Sequence, residues 1–263
     1  ALESNDIKTI SHASFVFAYL PLDYFAEIIR ADATLPQTFI NLMLHTSKEV
    51  VFPMVLAVGN IICGDDEQTQ LMIDLQVIPS LLWLVDYPDK EVQAYAAWVL
   101  SNIAAGNEYQ LQTVIDSGVI PKVKGFLHDA SPLEERPKEE KGKKGKVEKD
   151  RFDDAVWLIA NACAGGSPHQ LQYLLNEDIL TALYQVLQRN KVLRHAIIST
   201  ALEGFETLIH RAVKNVDIGL PDILTPFLKG CNMKQLFDEL DDLPLSVTAG
   251  RIKAIEKMIY PFL

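Results

Sequence analysis

The sequence predicts an all-α array of stacked three-helix units, and three observations carry that expectation. Motifs recur at a spacing of 42 residues, apolar positions keep helical periodicity, and no stretch sustains strand-type alternation. "AVGNIICGDDEQTQLMIDLQVIPSLLWLV" (57–85) aligns with "VLSNIAAGNEYQLQTVIDSGVIPKVKGFL" (99–127). Asn60 answers to Asn102, Ile73-Asp74 to Ile115-Asp116, Val77 to Val119 and Pro79 to Pro121. A third copy, "IANACAGGSPHQLQYLLNEDILTALYQVL" (159–187), sets Asn161 59 residues beyond Asn102, and a charged insert accounts for the surplus. A helical unit this short cannot bury its own apolar face, so neighbours must stack into a superhelical solenoid.

Along the chain, residues 1–20 read as the end of a preceding repeat, and 11–45 hold a degenerate copy. Repeats then span 21–64, 65–106, 107–166 and 167–210, with 211–263 as a terminal capping repeat. Within the second of these, residues 67–74 suit a short first helix. Pro79 is expected to open the second helix, because the first turn has no use for the N–H that proline lacks. Residues 89–104 form a longer third helix. The insert, residues 128–150, carries seven Lys/Arg, seven Asp/Glu, two Pro and two Gly, and reads as a flexible charged loop.

Composition narrows the function. The net charge of −11 disfavours nucleic acid and anionic membrane as partners and favours a cationic one. No run approaches the 18 apolar residues that would suggest a membrane span. Cys63, Cys163 and Cys231 are odd in number, widely spaced and set in apolar sequence, which reads as reduced, buried thiols of an intracellular protein. The six histidines show no paired ligand spacing, so no metal or other cofactor is expected. Gly165-Gly166-Ser167 lacks the lysine of a phosphate loop and reads as a helix terminus. Asp65-Asp66 and Asp241-Asp242 have no nucleophile beside them and suit helix starts or groove rims. No enzyme is expected.

Two pairs point to a binding role. Trp98 and Asn102 lie four residues apart in "AAWVLSNIAAGN", and "WLIAN" repeats the arrangement with Trp157 and Asn161. Four-residue spacing places both side chains on one helix face. Packing alone gives no reason for an amide to follow each indole. An amide offers a donor and an acceptor to the backbone of an extended peptide, whatever its sequence. Indole faces make slots for Lys or Arg stems, with cation–π attraction of roughly 0.5–2 kcal/mol per contact. Acidic residues at the slot ends would then select the cationic tip.

"VGNIICGDDEQTQ", "AAWVLSNIAAGN" and "DAVWLIANACAGGSPHQLQ" resemble the later armadillo repeats of importin-α, the adaptor that carries nuclear localisation signals. The resemblance runs through roughly residues 11–210 and, more loosely, into the tail. It implies a right-handed superhelical armadillo solenoid of about five three-helix repeats plus a C-terminal cap. It also implies which residues bind peptide at the family's minor site: Asn60, Cys63, Gly64 and Asp66, then Trp98, Ser101 and Asn102, then Asp154, Trp157 and Asn161. Cys63 stands where the family has Thr, and Tyr95 where it has an acid, so one charge-selecting contact is in doubt. By resemblance the chain is a C-terminal fragment, lacking the major site and the segment that binds importin-β. The family's last repeats also contact an export receptor and a nucleoporin, and the protein would shuttle between cytoplasm and nucleus. Lys143-Lys144-Gly145-Lys146 in the insert resembles a core localisation signal that could compete for the chain's own site. The alternative is an armadillo scaffold of the adhesion or signalling type that binds another protein partner.

Overall fold

The computed structural model describes residues 1–128, 150–191, 193–214, 220–243 and 248–262, without the side chains of 220, 221, 223 and 262. Residues 129–149 lie outside it, and with them the reading of the insert as a flexible, self-competing loop. Sixteen α-helices and no strand occur among the described residues. The chain divides into two compact units, Ala1–Val119 with Lys149–Asp154, and Ile120–Glu148 with Ala155–Leu263.

The first unit contains α1 (Ile7–Ala18), α2 (Phe25–Ala31), α3 (Leu35–Met43), α4 (Lys48–Ile62), α5 (Asp66–Asp74), α6 (Val77–Val85), α7 (Lys90–Ala104) and α8 (Glu108–Asp116). α9 (Val119–Phe126) begins at the division, and α10 (Arg151–Gly165) starts in the first unit and runs on into the second. The second unit continues with α11 (Pro168–Asn176), α12 (Ile179–Gln188), α13 (His195–Lys214), α14 (Leu220–Gly230), α15 (Met233–Asp241) and α16 (Thr248–Ile259).

Helix starts are written in the sequence. Asp65 accepts from the Gln68 N–H at 2.8 Å while the Gln68 side chain reaches back to the Asp65 N–H, a capping box. Asn107 with Gln110 and Ser167 with Gln170 repeat the device at α8 and α11. The glycines before the first two caps have a local reason. A Cβ on Gly64 would stand 1.5 Å from the side-chain Oε1 of Gln68, and one on Gly106 would stand 1.9 Å from that of Gln110.

The second helices do not begin where proline suggests. α6 opens at Val77, two residues ahead of Pro79, because Gln76 turns the chain through the left-handed region at φ 63°. Gly118 and Asp178 do the same before α9 and α12, at φ 72° and 60°. Pro79 is accommodated within a first turn whose N–H groups have no helical partner anyway.

The third helices form the core. Val50, Val51, Met54, Val55, Ala57, Val58 and Ile61 of α4 are fully buried, as are Ala96, Ala97, Val99, Leu100 and Ile103 of α7. Each large aliphatic side chain so enclosed stabilises the fold by roughly 1.5–3 kcal/mol. Pro53 within α4 cannot donate to the Glu49 carbonyl one turn back; the buried Ser11 hydroxyl of α1 donates to it instead, at 3.0 Å.

The cysteines correct the expectation of buried thiols. Only Cys163 is buried; Cys231 is half-buried and Cys63 exposed. Cys63 is the C-cap residue of α4, past the helix's last buried turn. Burial pushes the Cys163 thiol up to about 12, with Arg211 pulling weakly the other way.

Candidate functional site

In the first unit the site is built on the ends of α4 and α7. Trp98 is half-buried and its indole lies on the backbone of α4. A Cβ on Gly59 would stand 2.1 Å from its Cζ3. Trp98 meets Tyr95 edge-on at 6.1 Å, and Tyr95 meets Phe52 edge-on at 5.1 Å. The row continues through Phe52 to Phe15 at 6.3 Å and ends where Phe15 stacks on the exposed Tyr19 at 6.1 Å.

The asparagines have structural work as well. Asn60 Nδ2 donates to the Ala18 carbonyl at 3.0 Å, and Asn102 Nδ2 donates to Cys63 Sγ at 3.1 Å. Each amide thus reaches the C-terminal end of the preceding third helix, where carbonyls lack helical partners. A single bond of this kind fixes the rotamer and leaves an amide's second N–H and its carbonyl oxygen as further capacity. Ser101 is buried and returns its hydroxyl to the Trp98 carbonyl at 2.8 Å.

The acids differ from one another. Asp66 is exposed at the first position of α5, where a carboxylate also suits the helix dipole. Its backbone carbonyl accepts from Gln110 Nε2, a fully buried side chain, at 3.1 Å, which ties α5 to α8. Asp154 is only 8 % exposed. Beside it the start of α10 is held to α7, where Arg151 donates to the Gln93 side-chain carbonyl.

Tyr95 does not stand in for the missing acid. At 8 % exposure it belongs to the aromatic row. Burial raises its phenol above the usual tyrosine range, and Glu91, Tyr19 and Asp154 add to the rise.

The second unit carries the other pair. Trp157 is 46 % exposed and Asn161 half-buried on α10, one helical turn apart. The end of α10 is bound by Arg211 of α13, which donates to the Ala164 carbonyl at 2.8 Å.

Of the ten residues singled out, the first unit gathers Asn60, Cys63, Gly64, Asp66, Trp98, Ser101, Asn102 and Asp154, and the second holds Trp157 and Asn161. Sequence reasoning missed Gly59, which seats Trp98, and Gln110, which positions Asp66. The repeated Gly-Asp/Asn-x-x-Gln spacing was the available signal for Gln110; nothing local marks Gly59.

Residues 65–105 match the family model of the armadillo/β-catenin-like repeat. Solved structures share the fold over nearly the whole chain. Computationally designed armadillo repeat proteins for modular peptide recognition superpose with a TM-score of 0.77 at 23 % identity, covering 98 % of this chain and 96 % of theirs. A designed armadillo repeat protein in complex with the peptide (KR)4 gives 0.74 at 22 % identity, covering 98 % and 95 %. The chain is therefore an all-α armadillo-repeat solenoid protein.

Curated relatives refine that class. Importin subunit alpha-1a of Oryza sativa subsp. japonica is 36 % identical over 100 residues, 37 % of this chain and 19 % of the rice protein. Importin subunit alpha-3 of Arabidopsis thaliana is 33 % identical over 100 residues, with the same coverage of each chain. The match spans about a fifth of the length of these relatives, and over those 100 residues the chain is similar to importin-α subunits. No helix among the described residues is long and apolar enough to cross a membrane.

Proposed function

We propose that this chain is part of a nuclear import adaptor and binds Lys/Arg-rich localisation signals in extended form. The observation that carries this reading is the recurrence of an indole and an amide one turn apart on α7 and α10, with Trp157 left 46 % exposed. Asn102 and Asn161 would hold peptide main chain, and Trp98 and Trp157 would stack on basic side-chain stems. Asp66 and Asp154 would favour the cationic tips, and Asn60, Cys63, Gly64 and Ser101 would complete the peptide-binding set. The net charge of −11 draws the same class of ligand. A designed protein of this fold was solved with a Lys/Arg peptide, which is consistent with such a ligand. In the intact protein the partners would include cargo carrying these signals, importin-β, an export receptor and a nucleoporin, and the protein would shuttle between cytoplasm and nucleus. The role is one of binding, without catalysis or a cofactor.

Calorimetric titration with a Lys/Arg peptide and with a neutral peptide of equal length tests the reading at two salt concentrations. Binding of the basic peptide alone, weakening as the screening length shortens to roughly 10 Å at 0.1 M salt, is the expected result. Equal affinity for both peptides, or none for either, would favour a scaffold for another class of partner.

A further inference from the structure

We propose that Arg251 is a built-in occupant of the acidic position that follows Trp157 and Asn161, so that it sets how far along the second unit a basic peptide is read. The proposal rests on the reading that Trp157 and Asn161 bind such peptides. Forty-two residues beyond Asn161, the position held by asparagine in the preceding repeats carries Glu203. α10 and α13 touch at this level, since a Cβ on Gly204 would stand 3.0 Å from Ala160 Cα and 3.2 Å from Ala160 Cβ. Glu203 and Asn161 are the immediate chain neighbours of that contact. An amide that reads main chain has thus been replaced by a carboxylate that reads charge.

The charge is already answered from within the chain. Arg251 of α16 places one terminal nitrogen 2.5 Å from Glu206 Oε2 and the other 3.2 Å from Glu203 Oε2. The two bonds are unequal. Glu206 is mostly enclosed and holds the shorter one, whereas Glu203 is 58 % exposed and holds the longer. The buried Nε of Arg251 has no hydrogen-bond partner, so the guanidinium is held by its two ends alone. Two carboxylates against one guanidinium leave a surplus negative charge, concentrated on the more exposed of the two. A Lys or Arg arriving from a peptide would compete with Arg251 for Glu203 and not for Glu206. While Arg251 is present, an extra basic residue at this position adds little to affinity.

Three peptides test this: a core Lys/Arg peptide, and two derivatives carrying three further basic residues at one end or the other. Each is titrated against the unaltered chain, Arg251→Gln, and Arg251→Gln combined with Glu203→Gln. Arg251→Gln should tighten one of the two extended peptides by about fivefold, the upper scale of one exposed ion pair, and leave the core peptide unchanged. Adding Glu203→Gln should abolish that gain. Equal tightening of all three peptides would mean a general charge effect and would overturn the proposal, as would no change in any. Should Arg251→Gln lower the thermal midpoint enough to obscure binding, Arg251→Lys keeps the charge without a fork that bridges two carboxylates. It should then show part of the same one-ended gain, and its absence would also overturn the proposal. Failure of the core peptide to bind the unaltered chain would instead defeat the underlying reading.

Discussion

Gly59 and Trp98 are fitted to each other: the indole of Trp98 occupies the volume where any other residue at 59 would place its Cβ, 2.1 Å from Cζ3. Helix propensity alone would favour alanine at position 59 by about 1 kcal/mol. Gly59→Ala should nevertheless displace the ring from α4 and weaken binding of a basic peptide several-fold. Tryptophan fluorescence of the variant should report a more exposed indole. Unchanged emission and unchanged affinity would show that the ring needs no such seat.

The two tryptophans of the pairs should respond differently to truncation. Trp157→Ala should weaken a basic peptide at least tenfold, about 1.4 kcal/mol, with a shift in thermal midpoint of no more than roughly 2 °C. Trp98 is half-buried on α4, so Trp98→Ala should combine a similar loss of affinity with destabilisation of about 2–3 kcal/mol. Large destabilisation by Trp157→Ala with affinity intact would return that residue to a packing role.

Restoring an acid at position 95 should damage the fold. The new carboxylate would replace a ring enclosed between Phe52 and Trp98 and would face Glu91 and Asp154. Tyr95→Glu should lower stability to urea by about 2 kcal/mol or more. Stability equal to the unaltered chain would mean that side chain 95 can turn to solvent.

Much of this was legible in the sequence, and what was not shares a cause. The 42-residue recurrence and the Trp-x-x-x-Asn spacing are local signals, and they expose the repeat and the helix faces directly. Capping boxes such as Asp65 with Gln68 are equally local. Tyr95 looked like a groove residue because the family resemblance sets an acid of the peptide site at its register; its burial depends on Phe52, 43 positions earlier. Cys63 looked buried because its sequence neighbours are apolar, yet as a C-cap it lies beyond them. The link between Arg251 and Glu203 joins helices α16 and α13 and has no local mark at all.

Backbone strain offers an independent check on the turns between first and second helices. Gln76 holds a left-handed φ of 63° at the position where the next repeat uses Gly118. The Cβ cost there is roughly 1–2 kcal/mol, and glycine's greater freedom in the unfolded chain offsets part of it. Gln76→Gly should therefore stabilise the chain by up to about 1 kcal/mol, and Gly118→Ala should destabilise it by a similar amount. Denaturant titration of both variants reads the difference, and a loss of stability in Gln76→Gly would contradict the turn geometry.

The most direct test of peptide recognition by the Trp/Asn pairs uses the chain's three tryptophans, Trp83, Trp98 and Trp157. Each gives one indole N–H resonance, and a Lys/Arg peptide can be titrated in while all three are followed. Trp83 is an internal control, being exposed on α6, where its ring meets Tyr87 edge-on. The signals of Trp98 and Trp157 should each shift and saturate while that of Trp83 stays in place. Movement of Trp83 alone, or saturating binding with the other two signals unmoved, would contradict the account.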